Sequence, residues 1–191
     1  MPGVVARAID PDTKQPLPVG TEGMICIKGS NIMVGYLNHP EKTAAVMHDG
    51  WYETGDMGLV DEEGFVRITG RLSRFSKIGG EMVPHLRIEE NLLRIVEDPT
   101  NTDAGILLAV TSIPDPKKGE RLIVLHKPCT KPIRQIIDEL AATGIPTLWI
   151  PSQDSFIEVA EIPLLGTGKL DLKGIKQTAL AETDKSSNAK S

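Results

Sequence analysis

The chain has 191 residues, 40% hydrophobic and 25% charged, which supplies apolar surface for one sizeable core or two small ones and excludes disorder throughout. Lysine and arginine total 21 against 26 aspartates and glutamates, a formal charge of -5, so no overall positive field draws the chain to nucleic acid and any anion site must be local. Cys26 and Cys129 lie far apart and match neither a zinc framework nor a disulfide-dense scaffold; they read as small hydrophobes of a reducing compartment.

No apolar run reaches the roughly 18 to 20 residues that cross a bilayer, and residues 1–12 lack the basic-then-apolar layout of a signal peptide, so a soluble chain is expected. Met1-Pro2-Gly3 leads straight into a predicted strand, as if the chain began inside something longer.

In chain order, residues 4–9 are apolar and β-branched, Asp10-Pro11-Asp12 and residues 16–20 punctuate, and residues 23–28 alternate, predicting strands joined by turns. Pro40 suits a first helical position, and Ala44, Ala45, Val46 and Met47 extend a short helix that Asp49-Gly50 stops. Residues 57–60 and 65–69 flank Asp61-Glu62-Glu63-Gly64, a hairpin loop ending on a glycine suited to positive φ.

Beyond Gly70-Arg71, strands and helices alternate. Residues 74–78 read as a strand, and Pro84 opens a helix to Val96 with Leu86, Ile88, Leu92, Leu93 and Ile95 at near-helical spacing. Residues 106–110 and 122–125 do not alternate with polar residues and read as strands buried on both faces. Thr130 is the N-cap candidate for a helix over 133–143 that ends at Gly144. Residues 147–150 and 156–162 read as strands, and Asp171 caps a last helix. The expected fold class is α/β (α+β), a β-rich first block followed by a compact α/β unit. Residues 182–191 are polar with no apolar anchor and are expected to be disordered.

Three segments differ from ordinary surface loops. In Tyr52-Glu53-Thr54-Gly55-Asp56 a glycine frees the backbone just before a carboxylate, whose two oxygens suit the paired hydroxyls of a ribose. Taken alone, an Asp after Gly is more often a turn residue. In residues 70–81, Arg71, Arg74 and Lys77 fall within seven residues with no acid between them, which a solvated basic face also explains; the adjacent Gly79-Gly80 argues for close backbone approach to a ligand. In residues 163–169, Lys169 follows Gly166-Thr167-Gly168, and a lysine on a glycine-flanked loop can reach a phosphate and stabilise charge developing there. The loop is not a Walker A motif, because Pro163 stands where its first glycine would fall and Leu170 follows the lysine.

In order and context these segments resemble the adenylate-forming superfamily of acyl-CoA synthetases, luciferases and nonribosomal-peptide adenylation domains. GSNIMVGYL at residues 29–37 looks like the stretch before that family's Y-x-T-G-D motif, Tyr52 to Asp56 match the motif itself, residues 70–89 resemble its G-R hinge motif, and residues 163–169 its C-terminal lysine motif. GRLSRFSKIGGEMV and IPLLGTGKLD look most like the synthetase module of bacterial bifunctional 2-acylglycerophosphoethanolamine acyltransferase/acyl-[acyl-carrier-protein] synthetases.

The resemblance implies residues 1–71 as a slice of the large domain's barrel region, a hinge at Leu72-Ser73, a small mobile domain over 74–181 and a tail over 182–191. It implies that Asp56 binds ribose hydroxyls, that Arg71 supports the same sugar and phosphate region, and that Lys169 is catalytic, holding α-phosphate and carboxylate oxygens. Lys77 would face phosphate in one domain orientation, while Gly79, Gly80 and Glu81 would line a pantetheine path in the other. Ser73 stands where the family usually has Asp or Lys, which removes a charge, and Met82 stands where related ligases can carry a polar residue.

The implied cofactors are ATP and Mg in a full-length enzyme, with a phosphopantetheine thiol as acceptor and no metal site of the chain's own. The implied partners are an N-terminal large domain and acyl carrier protein or coenzyme A, with an acyltransferase module ahead of this region and a cytoplasmic, inner-membrane-associated parent compatible with the resemblance. Because no T-S-G-T-T-G-like phosphate loop occurs, the chain is expected to be a C-terminal fragment, inactive alone and holding no nucleotide tightly. Arg71, Arg74, Lys77, Arg87 and Arg94 are candidates for steering an acidic carrier protein. The rival reading is a non-catalytic docking module, which has no need of Lys169.

Overall fold

A computed structural model describes residues 3–96 and 105–188. The chain forms two compact units that divide between Ser73 and Arg74.

The first unit is an antiparallel sheet of β1 (Val4–Ile9), β2 (Gly23–Gly29), β3 (Met47–His48), β4 (Trp51–Val60) and β5 (Val66–Arg71), with one short helix, α1 (Pro40–Ala44). β4 is the organising strand. Tyr52 pairs with Ile27 of β2 and Met47 of β3, and Met57 pairs with Met24 of β2 and Gly70 of β5, so β3 and β5 share the edge opposite β2. The core is Ala8, Ile9, Met24, Ile25, Cys26 and Met57. The predicted hairpin is present: Gly64 donates its N–H to the Asp61 carbonyl at 3.0 Å, with Gly64 at φ 83°. The predicted helix from Pro40 is shorter than expected, because Met47 leaves it to pair with Tyr52 in β3.

A 3-10 turn, Leu72–Arg74, spans the division, and the second unit contains β6 (Phe75–Ile78), β7 (Glu81–Pro84), α2 (His85–Val96), β8 (Leu108–Asp115), β9 (Gly119–His126), α3 (Ile133–Ala142), β10 (Phe156–Glu158) and α4 (Leu172–Asn188). The sheet order is β10-β9-β6-β7, with β8 paired to β9; among the described residues the β10–β9 pair is parallel and the others antiparallel. Apolar residues fill both faces. Leu108, Val110, Leu122 and Val124 meet Ile88 and Leu92 of α2 and Ile136 and Leu140 of α3; Ala109, Ile113, Ile123 and Leu125 meet Ile175 and Ala179 of α4. Helices on both sides explain the absence of polar alternation in these strands. Among the described residues no helix is long and apolar enough to cross a membrane.

Four expectations are corrected. Residues 147–150 are not a strand: Pro146 starts a 3-10 turn, Thr147–Trp149, closed by hydrogen bonds from Trp149 N–H to Pro146 and Ile150 N–H to Thr147. β10 stops at Glu158 rather than residue 162. Pro132, not Thr130, occupies the N-cap of α3 and makes no side-chain cap, since a proline carries no side-chain oxygen. The tail expected to be disordered from 182 is helical to Asn188: Thr183 Oγ1 donates to the Ala179 carbonyl at 2.8 Å and Lys185 pairs with Glu182 at 2.7 Å, giving local support without an apolar anchor. Residues 189–191 lie outside the described residues.

Candidate active site

The T-G-D segment is a bulge in β4. Between the pairs Met24–Met57 and Cys26–Glu53, β2 has one residue, Ile25, and β4 has three, Thr54, Gly55 and Asp56. Gly55 takes φ 73°, which the extra residues require. The Thr54 hydroxyl replaces the broken ladder, donating to the Ile25 carbonyl at 2.8 Å and accepting the Asp56 N–H at 3.0 Å. Threonine, glycine and aspartate thus form one device that fixes the Asp56 backbone. Across the strand pair, Asp56 is opposite Arg71, and Arg71 Nε lies 2.7 Å from Asp56 Oδ1. Both side chains keep contact with solvent, 28% and 66% exposed, leaving carboxylate lone pairs open to hydroxyl donors. Nearby on β4, a hydrogen bond with Tyr36 and then burial push the Tyr52 phenol up.

Residues 75–84 form a hairpin. Register pairs run from Phe75–Pro84 to Ile78–Glu81, and Gly79 and Gly80 close it with φ 57° and 90°. Two successive positive-φ positions define a two-residue type I′ turn, so backbone geometry alone accounts for the two glycines. A Cβ at Gly80 would meet nothing within 4 Å, and one at Gly79 only Leu148 Cδ1 at 3.9 Å, so the tip faces open space. Lys77 and Glu81 are exposed, on either side of that tip.

Lys169 sits on a second hairpin of the same unit. Leu164 bridges Leu170, Leu165 N–H donates to the Lys169 carbonyl at 2.8 Å, and Gly168 N–H donates to the Leu165 carbonyl at 2.8 Å with Gly168 at φ 79°. Asp171 anchors the exit, its Oδ1 accepting the N–H groups of Lys173 at 3.2 Å and Gly174 at 3.1 Å. Lys169 is exposed, and among the described residues its ammonium makes no ion pair. The structure therefore brings together Asp56 with Arg71, and Lys77 with Gly79 to Glu81, and gives Lys169 a separate support.

Arg74 is a correction to the basic-face reading. Its side chain is 14% exposed and ion-paired with Glu89 of α2, so it is withdrawn from any carrier protein; Arg71 is engaged by Asp56. Sequence reasoning passed over the polar groups behind this. Burial pushes the Glu89 carboxyl up, against the opposing pull of the Val110 amide and Arg74, and burial followed by the charges of Arg74 and Lys176 lowers His85 to about 3. His85 is hydrogen-bonded to Ser76 of β6. A signal was present: His85, Ile88, Glu89 and Leu92 share one helical face, so two polar residues continue the apolar stripe. Cys26 is buried, and its burial and the Glu53 charge push the thiol up to about 11; Cys129 is half-buried and also raised by burial.

No family model matches the chain. Among curated proteins it is 35% identical over 175 residues to a luciferin 4-monooxygenase of Luciola mingrelica, covering 90% of this chain and 30% of that protein. It is 34% identical over 150 residues to a long-chain-fatty-acid–CoA ligase of Bacillus subtilis, covering 78% of this chain and 25% of that one. Among solved structures, ATP-bound MatB from Rhodopseudomonas palustris matches with a TM-score of 0.69 and 31% identity over 93% of this chain and 34% of that chain. The chain spans about a third or less of the length of these relatives.

Proposed function

Over its own length the chain belongs to the adenylate-forming superfamily, and on that premise we propose that it serves as the C-terminal portion of an ATP-dependent acyl ligase that forms an acyl-adenylate and passes the acyl group to a phosphopantetheine thiol. Asp56 accepts hydrogen bonds from the ribose hydroxyls, and Arg71 beside it supports the sugar and phosphate region. Lys169 offsets charge on the α-phosphate and carboxylate oxygens during adenylate formation. ATP is the nucleotide, with Mg accompanying its phosphates. Lys77 faces phosphate in one orientation of the second unit, Gly79, Gly80 and Glu81 line the thiol's path in the other, and Leu72-Ser73 is the hinge.

The observation that carries this reading is Lys169, exposed and without an ion pair among the described residues, on a turn fixed by two backbone hydrogen bonds. A docking module has no use for an unpaired lysine held this way. Coenzyme A is supported as acceptor by the acyl-CoA ligases among the similar proteins. A second reading, supported by the wording of residues 70–83 and 162–171, has acyl carrier protein as acceptor and lysophospholipid acylation downstream.

The test is Lys169→Ala in the full-length enzyme carrying this chain. Acyl-dependent ATP–pyrophosphate exchange should fall about a hundred- to a thousandfold, while acyl transfer from preformed acyl-adenylate stays largely intact. Equal loss in both half-reactions, or loss in neither, overturns the assignment. Offering coenzyme A and holo-acyl carrier protein separately distinguishes the two acceptors.

A further inference from the structure

β6 and β9 share a single register pair, Ile78 opposite Gly119. On one side of it the ladder is continued by a side chain: Lys77 N–H donates to Glu120 Oε2 at 2.7 Å. On the other side, Gly79 N–H donates to the Lys118 carbonyl at 2.9 Å. The second oxygen of the same carboxylate, Glu120 Oε1, accepts the Ser112 hydroxyl of β8 at 2.7 Å, and Lys176 Nζ of α4 lies 4.0 Å from it. Glu120 is 28% exposed. An ionised carboxylate is an acceptor-only group with two oxygens, which suits donors converging from β6, β8 and α4.

The consequence concerns the Gly79-Gly80 tip. Neither glycine carries a side chain to pack, and a Cβ at Gly80 would meet nothing within 4 Å, so the tip is placed by its backbone attachments alone. Two of these, at Lys77 and Gly79, run to the start of β9, and the one at Lys77 depends on a single carboxylate.

We propose that Glu120 is a positioning residue that holds the 79–81 hairpin tip in register for the incoming thiol; the functional half of this rests on the reading of that tip as the thiol's path. Glu120 touches neither the thiol nor the nucleotide in this assignment. It acts through the Lys77 amide, substituting for a ladder bond where β6 parts from β9.

The experiment compares Glu120→Ala and Glu120→Gln in the 191-residue chain by amide hydrogen exchange. Glu120→Ala should accelerate exchange at Lys77 and Gly79 by about ten- to a hundredfold, the loss of one hydrogen bond to a charged group, with Ile123 and Leu125 unchanged as an internal folding control. Glu120→Gln should restore protection, because its amide oxygen accepts from Lys77 and its amide nitrogen donates to Ser112 Oγ. Unchanged exchange at Lys77 and Gly79 in Glu120→Ala, uniform acceleration throughout β9, or failure of Glu120→Gln to restore protection each overturns the positioning role.

In the full-length enzyme, Glu120→Ala should slow thioester formation about tenfold or more and leave ATP–pyrophosphate exchange within twofold. Local loosening without that split overturns the functional half, and it locates the failure in the reading of the tip as the thiol path rather than in the role of Glu120.

Discussion

Arg74 and Glu89 form an ion pair in which both side chains are withdrawn from water, 14% and 7% exposed, and Glu89 Oε1 also accepts the Val110 N–H at 2.6 Å. The pair fastens the first residue of the second unit to the middle of α2 and to β8. Glu89→Ala strands a buried guanidinium and orphans the Val110 amide, so it is expected to lower the stability of this unit by about 3–5 kcal/mol, measured by denaturant unfolding. Joint replacement by Met at 74 and Leu at 89 should recover much of the loss, since the pair itself offsets a large desolvation penalty. A cost below about 1 kcal/mol for Glu89→Ala would make the pair incidental.

Acidification acts through His85. Its pKa is lowered from 6.5 to about 3 in the folded chain, so the unfolded state takes up the proton first as pH falls. The stability this neutral imidazole contributes is complete above about pH 6.5 and is lost progressively down to about pH 3, amounting to about 2 kcal/mol by pH 5. Glu89, raised by burial, acts with the opposite sign, its contribution declining as pH rises above its ordinary value. The difference between wild type and His85→Gln, followed from pH 7.5 to 5, isolates the histidine. A parallel pair of stability curves would remove His85 from the account.

Asp56 and Arg71 separate function from stability. Their ion pair is largely solvent-accessible, so Asp56→Asn is expected to change unfolding free energy by less than about 1 kcal/mol. In the full-length enzyme the same change should raise the KM for ATP about ten- to a hundredfold, the loss of charge-assisted hydrogen bonds to the ribose. A large stability loss with unaltered KM would make Asp56 a structural residue of the bulge.

At the hairpin tip, Gly79→Asn should be nearly neutral, because φ 57° is a conformation asparagine tolerates. Gly80→Val places a β-branched residue at φ 90° and should cost about 1–2 kcal/mol or more by thermal unfolding. In the full-length enzyme it should slow thioester formation more than adenylation. Equal slowing of both steps would argue for a general folding defect.

The two lysine- and aspartate-bearing loops show what was legible in the chain itself. Residues 61–65 and 165–169 close with the same pair of backbone hydrogen bonds and a positive-φ glycine at the fourth position, Gly64 and Gly168. Glycine suits such a site for local steric reasons, so these turns and the Gly79-Gly80 turn were set by neighbouring residues in the chain, whereas the bulge at Gly55 also needs the Ile25 carbonyl of β2. The two-sided burial of β8 and β9 was likewise written in their unbroken apolar runs. Periodicity also placed α2, and the glycine stop at Gly144 marked the end of α3.

Tertiary structure alone decided the rest, because burial of a charge depends on what packs against it. Nothing local distinguishes Arg74 from Arg71 in the basic run, yet one is buried against Glu89 and the other lies open beside Asp56. Residues 147–150 have strand-like composition but find no neighbouring ladder, and a proline-started 3-10 turn satisfies their amides instead. No local motif marks Glu120 in the sequence. Its two oxygens acquire a role only where β6, the β8–β9 hairpin and α4 converge, and those three parts are separated by dozens of residues along the chain.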